Sequence, residues 1–216
     1  KDAAGNALAE AYTFSFTTSE QPVQAASFVA VNSFGIHAGK VYAGYELKDA
    51  AGNQIALVAS NIASMTVKNP DETTATVTVG DDSDPLLWFN VEKAIGDYEY
   101  TVETKDGTTY KATLTWAGPE EATWQATDRE GVHEGVTYVE YKLMDGQNEV
   151  SLKEGDVKLI ASKDGDEWVA LEPNTDATLW FNKALPTGNY EFIVVTSGNT
   201  IYKATLQWTA PVEPTV

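Results

Sequence analysis

The sequence predicts an all-β protein made of two tandem antiparallel β-sandwiches, and three observations predict it. The first is an internal repeat. Gly35-Ile-His37-Ala-Gly39, with Tyr42, Tyr45, Leu47 and Asp49, returns 96 residues later as Gly131-Val-His133-Glu-Gly135 with Tyr138, Tyr141, Leu143 and Asp145. Asp84-Pro-Leu-Leu-Trp88-Phe89-Asn90 returns as Asp176-Ala-Thr-Leu-Trp180-Phe181-Asn182, now at an offset of 92. Tyr110-Lys-Ala-Thr-Leu114 and Trp116 return at the same offset as Tyr202-Lys-Ala-Thr-Leu206 and Trp208. Matched blocks in one order mean two homologous units of roughly 90–95 residues, the size of a small domain rather than of a solenoid repeat. The second observation is a two-residue alternation of apolar and polar side chains, with no sustained helical period. The third is a turn signal about every 8–12 residues, the rhythm of a sandwich.

Taken in order, Lys1-Asp-Ala-Ala-Gly-Asn-Ala-Leu reads as a turn and Tyr12-Thr-Phe14-Ser-Phe16-Thr-Thr as a following strand. Residues 1–21 are therefore expected to close a preceding unit, so the chain reads as a piece of something longer. Residues 22–118 form the first repeat. In it, Gly35–Gly39 reads as a tight turn between two strands. Leu87-Trp88-Phe89-Asn90 is a short strand, with Leu87 and Phe89 on one face and Trp88 and Asn90 on the other. Tyr98, Tyr100 and Val102 face one way and Glu99, Thr101 and Glu103 the other. Lys105-Asp106-Gly107 then turns the chain into Tyr110–Trp116, because Asp-Gly between alternating runs is a strong hairpin signal. Gly118-Pro119-Glu120-Glu121 reads as a short, semi-rigid linker. Residues 119–211 repeat the pattern, with Tyr190, Phe192 and Val194, a turn at Ser197-Gly198-Asn199, and a return strand ending at Trp208. Residues 212–216 read as a linker or tail.

Composition excludes several functions. The net charge is −18, from 32 acidic and 14 basic residues. A field of that sign repels phosphate backbones and anionic lipid, so neither nucleic-acid binding nor membrane insertion is expected. No apolar run approaches the ~18 residues of a membrane span. The absence of cysteine argues against a small disulfide-stapled domain and removes any thiol nucleophile. There is no Gly-x-Ser-x-Gly elbow and no phosphate loop. The only histidines, His37 and His133, occupy equivalent turn positions and lack a second ligand at metal-binding spacing. No catalytic residue is assigned, and the protein is not expected to be an enzyme.

Two phrases resemble a known family. Asp2-Ala-Ala-Gly5-Asn6 followed by Phe14-Ser-Phe16-Thr-Thr resembles the closing strands of bacterial immunoglobulin-like domains. The Gly96-Asp-Tyr98 and Gly188-Asn-Tyr190 segments resemble the start of a late strand in immunoglobulin-like and fibronectin-like modules. Arrays of such domains are similar to surface-layer (S-layer) proteins, and also to accessory modules of secreted glycosidases. The resemblance implies tandem Ig-like sandwiches and an extracellular location in the S-layer or cell wall. It implies a structural role through rigid spacing and contacts with other domains or copies of the same protein. The alternative it leaves open is a carbohydrate-binding or adhesive pair with a cell-wall or other polysaccharide as partner.

Two sets of side chains are candidate sites. Asp81, Asp82 and Asp84 crowd three carboxylates into one turn, an oxygen-rich arrangement that suits calcium, though without EF-hand spacing. Asp164-Gly-Asp166-Glu167 is similar in the second repeat. Trp88 and Trp180 either pack in the core or at a domain interface, as large rings usually do, or stack on a sugar. Trp168 has no partner in the first repeat and is expected to be the exposed ring; with Trp88 and Trp180 it makes up the carbohydrate set. Trp124 aligns with Phe28 and is expected to pack.

Overall fold

A computed structural model describes residues 22–173 and 175–211; the readings for 1–21 and 212–216 lie outside them. Among the described residues there is no helix, and the strands form two sets of identical topology. The first set is β1 (Gln24–His37), β2 (Lys40–Asp49), β3 (Gln54–Ile55), β4 (Ile62–Lys68), β5 (Thr74–Thr76), β6 (Leu87–Asn90), β7 (Gly96–Thr104) and β8 (Thr109–Trp116). The second is β9 (Glu120–His133), β10 (Val136–Asp145), β11 (Asn148–Val150), β12 (Val157–Asp164), β13 (Glu167–Leu171), β14 (Leu179–Asn182), β15 (Gly188–Thr196) and β16 (Ile201–Trp208). Glu120 and Glu121, read as linker, already pair in β9, which leaves residues 117–119 between the sets.

Each unit is an Ig-like sandwich. In the first, β5-β4-β7-β8 form one sheet, and β2 with β1, β3 and β6 forms the other. Strand β1 belongs to both: Gln24 and Ala25 pair parallel to β8, and from Ala26 onward the strand pairs antiparallel to β2. Strand β9 does the same, parallel to β16 and then antiparallel to β10. The Gly-x-His-x-Gly segments are two-residue hairpins, with positive φ at Ala38 (47°) and Gly39 (68°) and at Glu134 (49°) and Gly135 (80°). Positive φ at both central residues is the type I′ geometry that matches strand twist.

The fall in offset from 96 to 92 means four extra residues between Asp49 and Asp84 of the first repeat, expected in one loop; they do not form one. Pairing sets the offset at 96 for Asp49/Asp145, 95 for Thr66/Ala161, 94 for Thr76/Ala170 and 92 for Leu87/Leu179. The excess is spread over three turns, none of which disturbs a strand.

An aromatic cluster closes each sandwich, and the two clusters have matching ring spacings. Phe89 lies 4.9 Å from Tyr98, 5.3 Å from Trp116 and 6.3 Å from Tyr45. Phe181 lies 4.8 Å from Tyr190, 5.3 Å from Trp208 and 6.3 Å from Tyr141. The Tyr98 hydroxyl donates to the Ala94 carbonyl at 2.7 Å, and the Tyr190 hydroxyl to the Pro186 carbonyl at 2.9 Å. A tyrosine near the start of a late strand that bonds back to upstream backbone is the tyrosine corner of Ig-like folds. Phe28 and Trp124 hold equivalent edge contacts, 4.9 Å to Tyr100 and 5.1 Å to Phe192.

Because Tyr98 is 2% exposed, Tyr98→Ala is expected to destabilise its unit by ~3 kcal/mol or more in urea unfolding. Tyr98→Phe removes only the corner hydrogen bond and is expected to cost about 1 kcal/mol.

Several aspartates cap turns of their own loop. Asp49 accepts the N–H groups of Ala51 and Asn53, Asp71 that of Thr73 and Asp106 that of Thr108. Hydrogen bonds from Asn53, Thr73 and Thr104 respectively hold these three carboxyls below the ordinary 3.8. A carboxyl depressed in the folded state contributes stability above its unfolded pKa, and that contribution is lost as pH falls through the folded value. The urea midpoint is therefore expected to decline as pH drops below about 4. Replacing all three by Ala should flatten that limb.

Candidate functional site

The sandwich fixes which side of β6 meets water. Leu87 (7%) and Phe89 (1%) are core, so the two-residue period turns Trp88 outward, where it is 37% exposed. The core reading of this tryptophan does not hold. Trp88 pairs across from Gly44, and Asn90 from Tyr42. Gly35 in turn lies opposite Tyr42, so the three strands present Gly35, Tyr42 and Trp88 on one outer face. Together with Ile36, His37 and Asp84 they line a groove of about 450 Å³. The second unit builds its counterpart, about 460 Å³, from Gly131, Val132, His133, Tyr138 and Trp180.

An aspartate four residues upstream holds each indole by its edge. Trp88 Nε1–H donates to Asp84 at 2.5 Å, and Trp180 Nε1–H to Asp176 at 2.9 Å. This satisfies the polar edge and leaves ring face toward the groove. Gly131 lies directly beneath Trp180, where an added Cβ would sit 3.1 Å from Cζ3.

Behind the grooves the two units differ as a set. Glu140, only 2% exposed, accepts from Arg129 at 2.7 Å, Thr178 at 3.0 Å and Thr127 at 2.6 Å. Arg129 also lies 5.5 Å from the Trp180 ring centroid. In the first unit the same four places hold Gly44, Ser33, Leu86 and Val31. A Cβ on Gly44 would lie 3.2 Å from each of the other three side chains. A buried carboxylate with three donors is thus exchanged for a small apolar contact. The repeat alignment could have flagged Glu140, since it stands opposite a glycine within a matched block.

The second place where side chains converge lies between the units. Trp168, expected to be exposed, is 2% exposed. Its backbone N–H donates to the Gly39 carbonyl at 2.8 Å, and Glu167 packs so closely that a Cβ on Gly39 would come within 2.7 Å of the Glu167 Cγ. Lys163 lies 5.5 Å from the Trp168 ring centroid and reaches Glu92 of the first unit at 3.7 Å. Ala161, Ile193, Val195 and Ile201 join Trp168 in one apolar cluster with the core of the first unit, against which Phe34 and Ile36 pack. These four residues are on the outer face of their sheet, since Phe192 and Val194 fill the inner one. The corresponding residues of the first unit are Thr66, Thr101, Glu103 and Thr109, with Thr74 in place of Trp168. The signal was present in the sequence: Glu99-x-Thr101-x-Glu103 alternates cleanly, whereas Glu191-x-Ile193-x-Val195 is apolar on both faces.

The acidic turn does not gather its carboxylates. Asp81 accepts from Ser83 at 2.5 and 2.9 Å, Asp82 from the Ser60 N–H at 2.9 Å, and Asp84 from Trp88 and the Leu86 N–H. Hydrogen bonds from Ser83 and Ser60 hold the Asp81 and Asp82 carboxyls below their ordinary value. Among the described residues no group of three His, Asp or Glu side chains is placed to hold a metal. Asp166 and Glu167 belong to the β12–β13 turn region beside the interface. Calcium and magnesium, compared at equal ionic strength, are accordingly expected to shift the melting temperature alike. A calcium-specific rise abolished by Asp82→Asn with Asp84→Asn would show a site.

No protein-family model and no curated protein matches the chain. Three of the solved structures to which the chain shows some similarity are the following. The 47-kilodalton lipoprotein Tp47 of Treponema pallidum is 11% identical over 88% of this chain and 52% of its own, with a TM-score of 0.34. A 1.5-MDa bacterial ice-binding adhesin is 10% identical over 89% and 67%, with a TM-score of 0.25. SGBP-B from the mixed-linkage glucan utilization locus of Bacteroides ovatus, in complex with a heptasaccharide, is 13% identical over 79% and 52%, with a TM-score of 0.23. The chain spans about half the length of Tp47 and of SGBP-B.

Proposed function

We propose that this chain is a non-catalytic structural pair from an extracellular bacterial surface protein of the S-layer kind, acting as one rigid spacer between further domains. The observation that carries this reading is the burial of Trp168, Ala161, Ile193 and Val195 against the first unit. Full burial of a large apolar side chain contributes ~1.5–3 kcal/mol. Several such side chains, with only residues 117–119 between the strand sets, oppose independent tumbling of the units. The acidic, cysteine-free composition suits a solvated surface module, and the Ig-like repeat is the usual brick of such proteins.

The first repeat supplies the test. It folds with Thr101 and Glu103 where the second has Ile193 and Val195, so Ile193→Thr with Val195→Glu should leave the second sandwich intact while uncoupling it. Small-angle scattering is expected to show a broader distribution of inter-unit distances, and subtilisin to cut near residues 117–119 much faster. Unchanged scattering would mean that the interface does not set the geometry. A finer probe compares two glycines that share a positive φ. Gly39→Ala and Gly135→Ala both incur the backbone cost of about 1 kcal/mol, and only the former also meets Glu167. The excess loss in Gly39→Ala, read by thermal unfolding, reports the interface alone.

A further inference from the structure

We propose that the two outer-face grooves are glycan sites, each seating the face of a sugar ring from a neutral polysaccharide against its tryptophan. The inference goes beyond the spacer role, which requires no exposed aromatic side chain.

The argument begins with what the two units share despite diverging around it. Where outer-face residues serve docking, the copies differ completely, as Thr101 against Ile193 and Thr74 against Trp168 show. The support beneath the grooves has also been rebuilt, from Gly44, Val31, Ser33 and Leu86 to Glu140, Thr127, Arg129 and Thr178. Over that rebuilt support, five positions in or beside the grooves are kept as identical pairs, Gly35/Gly131, His37/His133, Tyr42/Tyr138, Asp84/Asp176 and Trp88/Trp180, while the lining Ile36 becomes Val132. Core packing does not explain a Trp that is 37% exposed or histidines that are exposed beside the hairpin turns. Exposed side chains kept in both units while the residues directly beneath them have been exchanged point to binding.

The chemistry then selects the ligand. The floor is an aromatic ring beside strand backbone kept bare by glycine, which offers a flat apolar surface to the C–H face of a pyranose. The rim carries an imidazole, a phenol and, in the first groove, a carboxylate, groups that exchange hydrogen bonds with hydroxyls. The first groove has no lysine or arginine in its lining, and the Arg129 beside Trp180 is already paired with Glu140. With a net charge of −18, anionic polymers are repelled. A neutral glycan meets all of these conditions.

The chain's two histidines make the test site-resolved, since their imidazole C–H signals report the two grooves separately. The full chain is titrated with oligosaccharides from neutral glucan, mannan and xylan, with alginate oligosaccharides and a proline-rich peptide as controls, and followed by NMR. At least one neutral series is expected to move both histidine signals, and the controls neither. Trp88→Ala should abolish the His37 response and Trp180→Ala the His133 response, each weakening its own site by about tenfold or more. Trp88→Phe, which keeps a flat ring, should retain most of the His37 response and so excludes loss of fold as the cause. The proposal is overturned if no neutral series moves either signal, if a control binds instead, or if the alanine variants respond like the parent.

Discussion

The constraint on which the rest depends is the two-residue period of one short strand. Strand β6 must give one of its two faces to the sandwich core, and the aromatic cluster decides which. Phe89, set between Tyr98 and Trp116, and Phe181, set between Tyr190 and Trp208, take the inner position. Once the phenylalanine is locked there, the neighbouring tryptophan has only the solvent side available. The Asp84 and Asp176 hydrogen bonds then hold the indole in one orientation. The tyrosine corner that pins the cluster is therefore also what holds the groove open.

The second unit uses its sheet twice. An antiparallel sheet normally turns one face to the core and one to water, and β4, β5, β7 and β8 follow that rule. Strands β12, β13, β15 and β16 have two apolar faces, one for their own core and one for the neighbour. Docking is directional: Phe34, Ile36 and Val41 at the end of the first unit meet this second face, whereas Glu130, Val132 and Thr137 occupy the same places in the second unit. The pair thus closes one contact and leaves its other two equivalent surfaces polar, apart from Val132. This pattern sets an orientation between two particular units rather than a contact repeated without limit.

Most of the fold was legible because it rests on local patterns. Alternation located the strands around Tyr98 and Tyr190, Asp106-Gly107 marked a hairpin, and the repeat gave the unit size. The positions misread share a cause, since their environment comes from the other unit or from distant strands. Trp168 was taken as exposed because a tryptophan without a counterpart suggests a surface addition. Its counterpart is the Gly39 hairpin, far away in sequence. The acidic turn was read as a cluster because three carboxylates are adjacent in sequence, yet Ser83, Ser60 and Trp88 draw them in three directions. Sequence proximity is a poor guide to convergence when each aspartate can bond its own turn.

The exchange behind the grooves shows how much freedom the outer face has. Gly44 with Val31, Ser33 and Leu86 is a compact apolar solution. Glu140 with Thr127, Arg129 and Thr178 is a polar one, stable because both oxygens of the buried carboxylate have donors, Arg129 and Thr178 on one and Thr127 on the other. Neither set converts to the other by a single substitution. A Cβ at Gly44 meets three side chains, and a Glu without its donors would be a buried unpaired charge. Both solutions nevertheless support a tryptophan on the same strand with the same aspartate tether. A scaffold that can be rebuilt in four places at once while its exposed ring stays put is constrained at the ring, and that constraint lies outside the packing of either unit.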